Sequence, residues 1–211
     1  MRPPVLRVHD EGVLDAAEAA LRRGALIVYP TDTLYALGGR ALDADVAAAV
    51  RRAKGRAADQ ALPVIVADLD QAQQIVTALP RSFFALSERF WPGPLTLVLP
   101  AAGIVPEEVT SRSGHVAIRI PSLPFARELC RRAGPLIATS ANRSGDAAAT
   151  TCDEALRAVG RHIALAIDGG VATVSQASTV VDLTGASPLL LRAGVVEWEA
   201  VVGALAEGDP R

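Results

Sequence analysis

The stretch VLDAAEAALRRGALIVYPTDT, Val13 to Thr33, sets the reading of the whole chain. Apolar residues from Val13 to Arg23 recur at helical spacing and stop at Gly24, a residue suited to closing a helix. Ala25 to Tyr29 is then an unbroken apolar run of strand length, ended by Pro30. Helix followed by buried strand, with polar residues directly after the strand, is the grammar of an α/β protein, in which ligand groups collect at strand ends.

Outward from that unit the pattern repeats. Asp43 can cap a helix through Val46, Ala47 and Val50 to Lys54, with Gly55 as its stop, and Leu62 to Ala67 reads as a strand. Helices are expected over Gln71–Leu79, Ser82–Phe90, Phe125–Ala133, Asp153–Val159 and Glu197–Ala206. Strands are expected over Leu95–Leu99, Val116–Ile120, Leu136–Thr139, Ile163–Ile167, Thr179–Leu183 and Leu189–Leu191, and Ala101 to Gly114 reads as a long loop. Several strand pairs have no helix between them, which favours a twisted mixed β-sheet with flanking helices over a strict doubly wound fold. No linker, repeat or low-complexity tract divides the chain, so residues 1–211 are expected to form one domain.

Composition narrows the functional classes. The 211 residues are 50% apolar and 21% charged with 4% aromatics, which excludes collagen, coiled coil and disorder. A net charge of −2 argues against a whole-chain positive field, though not against a local basic groove. Cys130 and Cys152 have neither metal-motif spacing nor the density of a secreted scaffold, and charges interrupt the first two dozen residues. No apolar run is long enough to span a bilayer, so a cytoplasmic protein without a membrane partner is expected. The 21 cations are twenty arginines and a single lysine, Lys54. A bias toward arginine removes dispensable lysines first, which marks Lys54 as a candidate for a role that a guanidinium cannot fill.

Common nucleotide, hydrolase and metalloprotease motifs are absent, and His9, His115 and His162 are scattered, so no metal ligands are assigned. Polar residues after strands carry the remaining signal. Thr31-Asp32-Thr33 is either a side-chain-stabilised turn or a ligand contact. Lys54-Gly55-Arg56 is either a favourable helix C-terminus or a phosphate clamp. Ser140-Ala141-Asn142-Arg143-Ser144-Gly145 is either a polar loop or an anion cradle. Arg119 within Val116–Ile120, and Arg192 after Leu189–Leu191, need a carboxylate or a ligand anion if buried, and solvent if not.

Taken in order, seven segments resemble the YrdC/TsaC family of threonylcarbamoyl-AMP synthases. They are Pro30 to Tyr35, Lys54 to Arg56, Phe90 to Thr96, Val116 to Pro121, Ser140 to Gly145, Ser178 to Asp182 and Leu191 to Gly194. The resemblance runs from about Gly24 to Gly194 and implies a YrdC-like fold with a concave, basic cleft. It implies condensation of L-threonine, bicarbonate and ATP to threonylcarbamoyl-adenylate and pyrophosphate. A downstream transferase complex would move the threonylcarbamoyl group to a tRNA adenosine, giving N6-threonylcarbamoyladenosine.

By the same resemblance, Lys54, Arg56, Ser140 and Asn142 match the family's catalytic tetrad. Thr33, Arg119, Ser140 and Ser178 match threonine-binding positions, and Arg56, Gln60, His115, Asn142, Thr150 and Arg192 match nucleotide contacts. Mg2+ is implied together with ATP. Ala36, Ala57, Ala61 and His115 depart from the family's usual residues, and Ala36 would be strained if its backbone required a positive φ. Two other functions are set beside the synthase. One is a double-stranded RNA or tRNA-binding module without synthase activity; the other is the carbamoyl-adenylate-forming domain of hydrogenase maturation proteins.

Overall fold

The structure, a computed structural model, describes residues 2–57 and 59–207. In chain order the elements are β1 (Val5–Arg7), α1 (Val13–Arg22), β2 (Ile27–Pro30), β3 (Tyr35–Gly38), α2 (Ala44–Lys54), β4 (Val64–Ile65), α3 (Leu69–Gln74), α4 (Arg81–Phe90), β5 (Leu95–Pro100), α5 (Glu107–Thr110), β6 (His115–Arg119), α6 (Pro124–Ala133), β7 (Leu136–Ile137), β8 (Thr139–Ser140), α7 (Cys152–Val159), β9 (Leu165–Asp168), β10 (Thr179–Asp182), β11 (Leu189–Arg192) and α8 (Trp198–Glu207).

Mixed α/β architecture with flanking helices is therefore what the chain forms, but its strands divide into two sheets. One has the order β1-β9-β2-β3-β8 and the other β11-β10-β5-β6-β4-β7, each with parallel and antiparallel neighbours. The apolar run that opened the reading explains the layering. Ile27 and Tyr29 enter a core with α1 and α6, while Leu26 and Val28 face a second core with α2 and the six-stranded sheet. A strand buried on both faces has no polar alternation to show.

Chain segments shared by the sheets position the site. Leu136–Ile137 pairs with β4 in the larger sheet, and Thr139–Ser140 pairs with β3 in the smaller one. The expected single strand over Leu136–Thr139 thus changes sheets at Ala138. Gly38 lies against this crossing, where a Cβ would overlap the Ile137 carbonyl oxygen, so the glycine in β3 marks a close backbone approach.

Other boundaries shift for local reasons. The helix expected over Gln71–Leu79 starts at the Asp68 cap and stops at Gln74, because the following backbone joins the end of β5: Ala102 N–H donates to Ile75 O at 3.0 Å and Thr77 N–H to Pro100 O at 3.0 Å. The strand expected over Leu62–Ala67 shortens to two ladder residues, and the long loop contains the single turn α5. Helix α2 follows expectation: the Asp43 side chain accepts from Asp45 and Val46 N–H, and Gly55 closes it at φ 62°. Ala36 lies in β3 and is not among the residues with positive φ, so it carries no backbone strain.

Candidate functional site

A cavity of about 470 Å³ opens where the two sheets meet. It is lined by Thr33 from the turn after β2, Arg56 after α2, His115 and Arg119 from β6, Ser140 from β8, Ser178 before β10 and Arg192 from β11. Seven residues expected at the site are thereby brought together from six segments. Three guanidinium groups line this cavity against one carboxylate, Asp182, which makes it attractive to anions although the chain is weakly acidic.

Arg119 is buried and ion-paired. Its Nη1 donates to both oxygens of Asp32, at 2.8 and 2.9 Å, and its Nη2 lies 3.4 Å from Thr33 Oγ1. The side chains of Arg119 and Asp32 are 7% and 10% exposed. Arg192 donates through Nε and Nη2 to the Ser178 carbonyl at 3.1 and 2.7 Å, and through Nη2 to Ser178 Oγ at 3.1 Å. That hydroxyl also bonds Thr96 Oγ1 at 2.8 Å. Gly194 backs this arrangement, since an added Cβ would collide with the Ala177 oxygen and the Thr179 nitrogen.

Arg56 donates through Nη2 to Ala61 O at 2.8 Å and through Nη1 to Thr139 Oγ1 at 3.3 Å. Burial lowers its pKa, and Arg51 and Arg192 lower it further; Arg192 is lowered by burial and then by Arg119. The three guanidiniums thus sit close enough to repel, a cost that a bound polyanion would relieve.

Lys54 is placed differently. It is 3% exposed and does not line the cavity. Its Nζ donates to Asn142 O at 2.8 Å, to Asn142 Oδ1 at 2.9 Å and to the Ser140 carbonyl, with Ser140 Oγ at 3.5 Å. Ser140 Oγ donates to Asn142 Oδ1 at 2.6 Å, and Asn142 Nδ2 to Asp146 O at 2.6 Å. The tetrad is therefore contiguous between Lys54, Ser140 and Asn142, with Ser140 presenting it to the cavity. Burial, then the charge of Arg56, lowers the Lys54 pKa to about 8.

Three residues expected at the nucleotide, Gln60, Thr150 and Asn142, do not line this cavity. Gln60 is exposed, and its carbonyl accepts from Arg56 Nε at 3.4 Å. Thr150 bonds Glu154 Oε2 through both N–H and Oγ1, at 2.8 and 3.0 Å, beside the Thr151–Glu154 capping box of α7. Thr150 and Asn142 line an adjoining cavity of about 820 Å³, which shares Ala148 with the central one. Thr96 and Thr139 are not among the expected site residues, and Asp32, open in sequence between turn and ligand contact, is instead the partner of Arg119. Their signal in sequence was only that each lies within or beside a segment already singled out.

Among the described residues no trio of His, Cys, Asp or Glu is arranged to hold a metal ion, and no helix is long and apolar enough to cross a membrane.

Comparison with known proteins places this geometry. The family described as Sua5/YciO/YrdC, telomere recombination, matches residues 19–194. A threonylcarbamoyl-AMP synthase of Thiobacillus denitrificans is 38% identical over 187 residues, covering 87% of this chain and 96% of that protein. One of Pyrococcus abyssi is 37% identical over 198 residues, covering 92% of this chain but 58% of that longer protein. The crystal structure of P. abyssi Sua5 complexed with L-threonine superposes with a TM-score of 0.92 at 35% identity, over 98% of this chain and 62% of that one. With its two mixed sheets and the family match over most of its length, this chain belongs to the Sua5/YciO/YrdC family.

Proposed function

We propose that this protein is a threonylcarbamoyl-AMP synthase, a nucleotidyltransferase that condenses L-threonine, bicarbonate and ATP into threonylcarbamoyl-adenylate and pyrophosphate. The observation that carries the reading is the convergence of Arg56, Arg119 and Arg192 with the hydroxyls of Thr33, Ser140 and Ser178 on one cavity. Both substrates are anionic where they must be held, at a carboxylate and at phosphates, and guanidinium groups with hydroxyl neighbours suit both. The resemblance to named synthases of comparable and greater length supports the same conclusion.

Arg119 takes the threonine carboxylate, with Thr33 and Ser178 beside it, while Arg56, Arg192 and His115 face the nucleotide in this cavity and Asn142 lines the adjoining one. Bicarbonate loses hydroxide to give CO2, whose carbon bonds to the threonine amine; the proton the amine loses leaves with that hydroxide as water, and a carbamate remains. A carbamate oxygen then bonds to the α-phosphorus as the bond to the pyrophosphate oxygen breaks. That oxygen is already anionic, so the step needs alignment and charge neutralisation rather than a protein base. Mg2+ enters as part of the ATP substrate, carried on its phosphates. The product would pass to a tRNA-modifying transferase complex in the cytoplasm.

Incubation with ATP, L-threonine, bicarbonate and Mg2+ is expected to give pyrophosphate and an adenylate of the corresponding mass. Pyrophosphate release independent of threonine would overturn the synthase. Salt-sensitive RNA binding without threonine-dependent turnover would install the RNA-binding module in its place.

A further inference from the structure

Another cavity, of about 740 Å³, lies behind the turn after β2 and is lined by the segment after β1, by α6 and by the loop after β9. Thr31 and Tyr35 line both this cavity and the central one. Between the two spaces the wall is one ion pair thick. Arg119 lines the central cavity, and Asp32, its partner, lines the second.

We propose that Asp32 is a positioning residue for the threonine site: from behind the wall its carboxylate fixes the guanidinium of Arg119 in the orientation that receives the substrate carboxylate. The proposal rests on the synthase reading and names a residue with no substrate contact of its own.

The bonding pattern carries the argument. Both Asp32 oxygens accept from Nη1 alone, and Gly93 O lies 3.5 Å from the same nitrogen. Among the described residues, Nη2 has only the long contact to Thr33 Oγ1, at 3.4 Å, and Nε has no partner. One edge of the fork is thus saturated, leaving donors for a second carboxylate. A buried arginine without a counter-charge is costly and would turn toward any available acceptor. Asp32 itself is held by its neighbours: Thr31 Oγ1 donates to Leu34 O at 2.7 Å and accepts from Thr33 and Leu34 N–H, each at 3.3 Å. The hydroxyls of Thr31 and Thr33 are 3.1 Å apart. A turn closed in this way fixes the residue between its two threonines.

Steady-state kinetics on Asp32→Asn test the assignment. The expected result is a threonine KM raised about tenfold or more, with the ATP KM and kcat each within about threefold of wild type, because ground-state recognition of one substrate is what is lost. Asp32→Glu keeps the charge but moves it by one methylene, and is expected to raise the threonine KM less than Asp32→Asn does. If Asp32→Asn does not accumulate as folded protein, the Glu variant decides alone: a selective rise in threonine KM supports the proposal. A threonine KM within about twofold of wild type, or equal rises for threonine and ATP, overturns it. Wild-type protein lacking threonine-dependent pyrophosphate release would overturn the synthase reading itself, a separate outcome visible before any variant is made.

Discussion

Two buried cations, Arg119 at the central cavity and Lys54 behind Ser140, are neutralised in opposite ways. Arg119 meets a carboxylate, Asp32, and keeps part of its fork at the cavity. Lys54 meets only neutral oxygens, two of them main-chain carbonyls, and is closed off from the cavity. An ion pair can be rebuilt or removed as a unit, whereas a cage that is half backbone cannot be emptied by changing side chains, since replacing Asn142 or Ser140 leaves both carbonyls in place. The difference separates a cation available to substrate from one that holds the loop bearing Ser140 and Asn142.

The largest effect is expected at Lys54. Lys54→Ala removes the charge-assisted bonds to three converging oxygens and leaves Asn142 O without a donor, and should cost about 2–4 kcal/mol in urea unfolding as well as most of the activity. Lys54→Arg should not restore either, because a planar guanidinium on a longer stem cannot direct donors at three oxygens that converge on one nitrogen. A Lys54→Ala protein of wild-type stability but raised ATP KM would reverse this assignment and make the lysine a phosphate ligand.

Next is Arg119→Met, which strands the Asp32 carboxylate and should destabilise by about 3 kcal/mol. Adding Asp32→Asn to it should recover most of that stability without recovering threonine turnover, since the pair costs less to remove whole than to break. No second substitution should do the same for Lys54→Ala. Failure of the double variant to regain stability would erase the distinction between pair and cage.

A pH series sharpens the contrast. The pKa of Lys54 is lowered from about 10.5 to about 8 by burial, so between those values the unfolded chain holds a proton that the folded chain has released. Stability contributed by this group therefore rises with pH through that window, while activity, which needs the ammonium to hold three oxygens, falls above pH 8. Opposed slopes are expected in unfolding and rate measurements, and the stability slope should be absent in Lys54→Met. Parallel slopes would show that the proton is not coupled to the cage.

How far the sequence reached follows the same division between local and distant contacts. Caps were legible, because Asp43 and Gly55 act within a few residues of the helix they bound. Of the residues in the family segments, Thr33, Arg56, Arg119, Ser140, Ser178 and Arg192 meet at one cavity. The change of sheet at Ala138 was not legible, since four apolar or small residues in a row carry no mark of which neighbour each will pair with. The sequence leaves Asp32 open between a turn and a ligand contact and marks Thr96 only as the end of a family segment, because their partners lie 87 and 82 positions away. The solitary lysine was visible in composition, but the direction of its Nζ depends on a loop on the far side of the chain.

The glycine behind Ser178 extends the comparison to a third cation, Arg192, which holds backbone as Lys54 does yet lines the cavity as Arg119 does. Gly194→Ala forces a Cβ against the Ala177 and Thr179 backbone, so Ser178 must move and take the Arg192 contact with it. Activity should fall about tenfold with a smaller loss of stability. Wild-type rates would show that the strand adjusts without disturbing the hydroxyl.

The smallest effect is expected at Gln60. Its side chain is exposed and away from both adjoining cavities, and its bond to Arg56 runs through the main-chain oxygen, which any residue supplies. Gln60→Ala should therefore leave turnover and the ATP KM within about twofold of wild type. Removing the side chain tests whether this segment holds Arg56 through main-chain oxygens alone, beside the Thr139 hydroxyl. An ATP KM raised about tenfold would instead mean that the segment carrying Gln60 closes onto the nucleotide, giving Arg56 a side-chain partner that exists only in the bound state.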